Sequence, residues 1–161
     1  MDYISHGLWS YIFFHWIKRP LLAVCFGLLP DTLSWGVYGI YRFIAYGGFG
    51  KPILDQIPEW TFALYNITHS LVVVAAVILL VLVLLRRVPV YIFAWPIAIV
   101  MDLLTHTTTF LPTPFLWPLT DWKFAGISWA TPWMLVLNAS LIVAAMIIIY
   151  RRKKRKARGN P

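Results

Sequence analysis

Between Glu59 and Leu85 the chain runs for 27 residues, and the second half, LVVVAAVILLVLVLL, carries no polar side chain before Arg86 and Arg87 close it. A bilayer's hydrocarbon layer is about 30 Å thick and takes about 20 apolar residues to cross as a helix. No water is available there for an unpaired backbone N–H or C=O, so such a run must form a helix that satisfies itself. This restricts the chain to all-α membrane architectures. Composition agrees, because 60% of the 161 residues are hydrophobic and 12% are charged, with a mean hydropathy of +0.73. Those values lie well outside the range of an ordinary soluble domain.

The formal charge of +8 suggests a nucleic-acid partner only until it is located. Seven of the 14 basic residues fall in the run RRKKRKAR, residues 151–158. Directly after an apolar helix, that run is a cytoplasmic stop signal that also attracts anionic lipid headgroups, and nucleic acid is not expected as a partner. Residues 1–150 then read as a single membrane-embedded helical domain and 151–161 as a basic cytoplasmic tail. Cys25 is the sole cysteine, which leaves neither an intrachain disulfide nor a thiolate metal cluster.

Residues 1–17 have no basic leader region or small-residue cleavage site, so a retained short helix is expected, tilted or interfacial. Residues 21–30 would rise only about 15 Å as a helix before Pro30 and Asp31. A helix broken at Pro30/Asp31 is therefore expected, with Asp31 capping a second half that runs to about Tyr46. GGFGKPILDQIP, residues 47–58, reads as a loop. Residues 90–108 form the next helix, and the proline-rich stretch after it is not a span. Its Trp117, Trp122 and Trp129, with Trp133, suit an interfacial belt. Residues 133–150 make the last span. Together these segments predict a polytopic bundle of four to five helices.

Charge asymmetry orients it. Lys18, Arg19, Arg86, Arg87 and the tail fall on one side, leaving Arg42, Lys51 and Lys123 on the other. The positive-inside rule makes the first side cytoplasmic and the N-terminus external.

Against this apolar background a few ionisable residues stand out. Asp102 and His106 sit in AIVMDLLTHTTTFLPTPFLWP at helical i, i+4 spacing, which puts them on one face. A charge at mid-bilayer costs roughly 2.5 to 3.5 kcal/mol on insertion scales, so it marks a functional site or a self-satisfied pair. His69 lies in a polar cluster with Tyr65, Asn66, Thr68 and Ser70, and Asp31 sits at the proline. His6 and His15 are half a turn out of phase around a helix, so only one of them can face a common site. On the expected topology His6, Asp31, His69, Asp102 and His106 converge on a cavity open to the exterior. Two carboxylates and two or three imidazoles suit a divalent metal such as zinc, and an open position on such an ion activates water near neutral pH.

The pieces ISHGLW around His6, GLLPD ending at Asp31, YNITHSLV around His69, and MDLLTH followed by FLPTPFLWPLTDWKFAGISW resemble the YdjM-like membrane-bound metal-dependent hydrolases, in the same order over most of residues 1–135. The resemblance implies an α-helical protein of the bacterial inner membrane with a divalent-metal site, distantly similar to zinc phospholipase C enzymes. It carries His6, Asp31, His69, Asp102 and His106 over as metal positions. Two positions depart from the pattern. Ala98 stands where the family helix has a histidine four residues before the aspartate, and Thr109 stands where an acid is expected. The leading expectation is a metal-dependent hydrolase acting on a lipid-linked or phosphorylated substrate at the outer face, with His69, His106, Asp31 and Asp102 as ligands and His6 a weaker candidate. Its rivals are a degenerate scaffold that assembles with another membrane protein, for which Ala98 argues, and a small transporter or proton relay, which buried Asp–His pairs also suit.

Overall fold

The computed structural model describes residues 1–48, 56–109 and 111–158, and every regular element among them is helical. Most of the loop expected at 47–58, with Lys51, lies outside the described residues, as do residues 159–161 of the tail. The α-helices are α1 (Tyr3–Phe14), α2 (Pro20–Asp31), α3 (Val37–Tyr46), α4 (Glu59–Thr68), α5 (Leu71–Leu85), α6 (Ala94–Thr105) and α7 (Pro132–Ala157). Residues 111–131 form an irregular arm.

Two stretches are long and apolar enough to cross a membrane, Pro20–Tyr46 and Pro132–Ala157, and α4 with α5 makes a third if the bent pair counts as one span. That is fewer than the four to five expected. The shortfall comes from α1 and α6, each 12 residues long and therefore about 18 Å, well short of the hydrocarbon thickness. A 3₁₀ turn, Val90–Phe93, leads into α6.

The break expected at Pro30/Asp31 is absent. Helix α2 runs through Pro30 to Asp31 and continues into a π-helical turn, Thr32–Gly36, and then α3. Asp31 makes no side-chain cap and has helical backbone angles, φ −69° and ψ −39°. A proline inside a helix removes one backbone donor, here the one facing Phe26 O, and the helix runs on to widen into the π turn two residues later. Side chains also serve the local carbonyls: Ser34 Oγ donates to Pro30 O at 2.8 Å and Thr32 Oγ1 to Leu28 O at 2.7 Å.

The sharp bend falls elsewhere, between α4 and α5, at 57°. Ser70 is extended there (φ −97°, ψ 123°) and caps α5 by accepting from Val73 N. The groups freed by the bend find distant partners. Leu71 N donates to Phe115 O at 2.9 Å, Ser70 Oγ donates to Trp117 O, and Trp95 Nε1 donates to Thr68 O at 2.9 Å. This is the condition under which irregular backbone is tolerated at membrane depth.

The core forms where α6 lies among α1, α2 and α5. Ala94 and Ala23 are fully buried beside Phe14, and Val74, Trp95 and Ile99 form a second cluster. Small residues at such contacts let helix backbones approach closely. The same need shows at Gly27 in α2, where an added Cβ would fall on Ser10 Oγ of α1.

The irregular arm returns to the end of α6. Gly126 N, Ile127 N and Trp129 N donate to His106 O, Leu104 O and Thr105 O at 2.9 to 3.0 Å. Gly126 is required there, since a Cβ would stand 2.5 to 2.7 Å from the carbonyl oxygens of Leu103, Leu104 and His106. Trp122 and Trp133 are exposed, as an interfacial belt demands, but Trp129 is half-buried and lines two open cavities instead. Helix α7 continues without interruption through the basic run to Ala157, so residues 151–157 are its final turns.

Candidate functional site

The five ionisable residues singled out above meet at one place. Helix α1 brings His6, the end of α2 brings Asp31, the α4–α5 bend brings His69, and α6 brings Asp102 with His106 just beyond it. His15, the alternative histidine of α1, turns away and donates from Nδ1 to Ile12 O at 2.8 Å.

Asp102 is the hub and is 1% exposed. Its Oδ1 lies 2.9 Å from His6 Nε2, and the Met1 amino nitrogen also contacts it. Its Oδ2 lies 3.6 Å from His69 Nε2. Asp31, with its side chain 19% exposed, faces the same two rings, Oδ1 at 3.4 Å from His69 Nε2 and Oδ2 at 3.9 Å from His6 Nε2. The two carboxylates thus bracket two buried imidazoles, and Asp31 forms the open side.

His69 owes its orientation to the bend. Its Nδ1 lies 3.2 Å from Tyr65 O and 3.1 Å from Thr68 Oγ1, while Thr68 Oγ1 donates its own proton to Leu64 O at 2.9 Å. Both partners are acceptors, so Nδ1 carries the proton and the neutral ring presents a lone pair at Nε2. The Tyr65 ring stacks on the imidazole at 4.0 Å, holding it in plane. His69 Nε2 is buried with no hydrogen-bond partner, and so is His6 Nδ1. With the proton on Nδ1 alone, the Nε2 lone pair 3.4 and 3.6 Å from two carboxylate oxygens sets acceptors beside acceptors. Such an arrangement repels unless a cation or a second proton lies between them.

His106 departs from the expected helical pairing. Helix α6 ends at Thr105, and His106 is extended (φ −110°, ψ 144°). Its Nδ1 donates to the Asp102 carbonyl at 3.0 Å and stays 3.4 Å from Asp102 Oδ1. The ring is anchored at its protonated nitrogen and borders a cavity of about 560 Å³, whose wall also includes Asp31, Thr32, Trp35, Tyr65 and Trp129. Ala98, one turn before Asp102 on the same face, is 2% exposed and contributes only a methyl group to the interior. Thr109 is exposed and pairs with Thr107 at 2.9 Å.

Sequence reasoning missed a further link. Asp2 caps α1, Ser5 Oγ donates to Asp2 Oδ2 at 2.6 Å, Asn138 Nδ2 donates to Ser5 Oγ at 2.8 Å, and Asn138 Oδ1 accepts from Trp9 Nε1 at 2.8 Å. This chain ties α7 to the helix that carries His6. The available signal was a lone Asn within the last apolar span, since polar side chains there are costly and pair across helices.

Among the described residues no three His, Cys, Asp or Glu side chains are set to clasp a metal ion as they stand. Their donor atoms form pairs instead. The donor set nevertheless suits a cation, because two imidazole nitrogens and two carboxylates are a borderline-metal set. Ligands bound at 2.0 to 2.2 Å around a tetrahedral ion stand about 3.3 to 3.6 Å apart; the His69 contacts at 3.4 and 3.6 Å fall in that interval, and the His6 contacts at 2.9 and 3.9 Å lie on either side of it. No protein-family model, curated protein or solved structure matches the chain. The fold and the buried cluster define its class: an all-helical protein with helices of membrane-spanning length and a His/Asp cluster inside.

Proposed function

We propose that His6, Asp31, His69 and Asp102 hold a divalent ion, zinc by donor chemistry, and that the protein is a metal-dependent hydrolase of the bacterial inner membrane. Its substrate is lipid-linked or phosphorylated and reaches the site from the outer face through the cavity beside Asp31 and His106. The observation that carries this reading is His69 Nε2, buried, without a hydrogen-bond partner and 3.4 and 3.6 Å from two carboxylates. The resemblance to the YdjM-like hydrolases supports it from the order of the same residues along the chain.

An ion bound there supplies Lewis acidity, polarising a phosphoryl oxygen and acidifying water. The chain's own groups do the rest. Tyr65 O and Thr68 Oγ1 fix the His69 tautomer, as hydrogen bonds from the second nitrogen commonly do for ligating histidines. Asp102 holds His6 in register from across the bundle. Hydrolysis of a phosphoester adds the water oxygen to phosphorus, breaks the P–O bond to the leaving group and passes the water's proton to that alkoxide. His106, at the cavity wall with Nδ1 tied to the backbone, keeps Nε2 as the group able to relay that proton.

Elemental analysis of protein purified without chelator tests the reading. About one ion per chain is expected, falling at least tenfold in His69→Ala and Asp102→Asn. A wild type that purifies without metal, together with cellular function that survives both substitutions, would sink it.

Ala98 favours a second reading, a scaffold that has lost catalysis and assembles with another membrane protein. Co-purification of a stable partner with a metal-free cluster would decide for it.

A further inference from the structure

The two cavities that Trp129 lines have carboxylates in their walls, Asp2 in both and Asp31 in the larger. Another cavity, of about 410 Å³, has none. Trp16, Ile17, Lys18 and Arg19 from the turn between α1 and α2 line it, together with Val90 and Tyr91 from the 3₁₀ turn that leads into α6. Most of α1 and most of α6 separate it from the His/Asp cluster, so it lies at the far end of the bundle. Every polar side chain in its wall can donate a hydrogen bond and none is anionic. Lys18 and Arg19 are exposed, and neither side chain makes an ion pair or hydrogen bond among the described residues. The Tyr91 ring packs against Phe26 at 5.5 Å, and its hydroxyl is likewise without a partner among them. Helix α2 starts at the same place with no side-chain cap, so the positive end of its dipole adds to the field. Arg86 and Arg87, just before the 3₁₀ turn, are exposed and equally unpaired among the described residues. Lys153 of α7 donates to Tyr11 Oη at 2.9 Å, which brings the basic run to this end of α1 as well.

From this arrangement we propose that the cavity binds the phosphate of an anionic glycerophospholipid, drawn from the leaflet around this end of the bundle. A guanidinium grips two phosphate oxygens at once, and an ammonium adds a compact charge. Such a set of unpaired donors at the end of a helical bundle is the chemistry that holds anionic headgroups. The rim selects a lipid over a soluble phosphate. Leu21 is 70% and Trp16 67% exposed, and Val90 and Phe93 are exposed beside them, so apolar surface begins where the cations end. Trp16 Nε1 is already committed to Phe13 O at 2.9 Å, which leaves the indole as an apolar face at the level where such rings meet a bilayer. Bound there, one phosphate bridges the α1–α2 turn and the entry to α6. It thereby fastens together the helices that carry His6, Asp31 and Asp102, and the proposal is independent of any catalysis at that cluster. The basic tail attracts headgroups by charge number alone, whereas this cavity holds one headgroup by position.

The test uses the full chain in neutral-detergent micelles, titrated with phosphatidylglycerol or phosphatidylcholine, with inorganic phosphate as competitor, and read by native mass spectrometry. One phosphatidylglycerol is expected to bind about 30-fold more tightly than phosphatidylcholine, the ratio that two cations near a bilayer surface supply. Lys18→Gln with Arg19→Gln is expected to abolish that preference. Arg155→Gln with Lys156→Gln, which removes the same charge from the tail, is expected to keep it. All four side chains are exposed, and a melting temperature unchanged in the absence of lipid shows that both variants fold. Equal loss in the two variants overturns the proposal, because the attraction is then one of total charge. So does inorganic phosphate that displaces the lipid at equal concentration, which marks a soluble-anion site. An acidic protein that co-purifies with the wild type and is lost from the Lys18 and Arg19 variant overturns it as well.

Discussion

His69 Nε2 stands 3.4 Å from Asp31 Oδ1 and makes no hydrogen bond, although one residue closes α4 and the other ends α2, and the His69 side chain is only 1% exposed. The contact exists because α4 and α5 bend by 57° at His69, while α2 passes at Asp31 into the π turn that leads to α3. Each partner therefore reaches the same point from a different kind of backbone.

Chelation should reveal what holds these acceptors together. A ligand at 100 times its Kd stabilises the folded state by about 2.7 kcal/mol. Exhaustive dialysis against EDTA is expected to lower the melting temperature in detergent, with recovery on adding zinc but not magnesium. An unchanged melting curve would show that the cluster is neutralised by protons alone.

Tyr65 orients His69 by its backbone carbonyl and its ring, whereas its hydroxyl serves Leu111 O at 3.2 Å. Tyr65→Phe keeps the stack and should leave metal affinity unchanged, at a stability cost of about 1 kcal/mol. Tyr65→Ala removes the stack and is expected to weaken zinc binding about 10-fold, the lower end for loss of outer-shell support. Competitive titration against a chromophoric chelator reads both.

At Gly27 the packing of α1 on α2 leaves no room for a methyl group. Gly27→Ala should destabilise the protein by about 2 kcal/mol, in the range for overpacked contacts, and Ser10→Gly in the same chain should restore most of it. Unfolding in mixed micelles checks this, and failure of the second substitution to rescue would place the clash elsewhere.

Asn138 bridges Trp9 and Ser5 from within the long apolar helix α7. Interhelical hydrogen bonds in membranes average about 0.6 kcal/mol and reach about 1.7. Asn138→Leu is therefore expected to cost about 1 to 2 kcal/mol while keeping metal content. A double-mutant cycle with Trp9→Phe should show coupling of the two sites.

Gly126→Ala drives a methyl group against three carbonyls at the end of α6. Detachment of the arm there should expose residues 111–131 to protease, with a loss of about 3 kcal/mol, the upper part of the usual single-substitution range. Limited proteolysis of the variant beside the wild type would show it.

The apolar run ending at Leu85 determined by itself that this chain is helical and suited to a bilayer, because a backbone without water can satisfy itself only in that way. Residue type alone also marked His6, Asp31, His69, Asp102 and His106, since ionisable groups among apolar ones demand a reason. Local pattern could not say where the chain bends. Pro30 looked like the break, yet the helix runs through it into a π turn whose neighbouring carbonyls two hydroxyl groups serve. The bend at His69 depends on Phe115, Trp117 and Trp95 receiving the freed groups, and partners so far along the chain leave no trace in local periodicity. The tertiary structure likewise decided that His106 lies beyond its helix, that Asn138 reaches Ser5, and that Lys18 and Arg19 share a cavity with Tyr91. Each of these depends on which helix faces become neighbours, and packing between distant segments sets that.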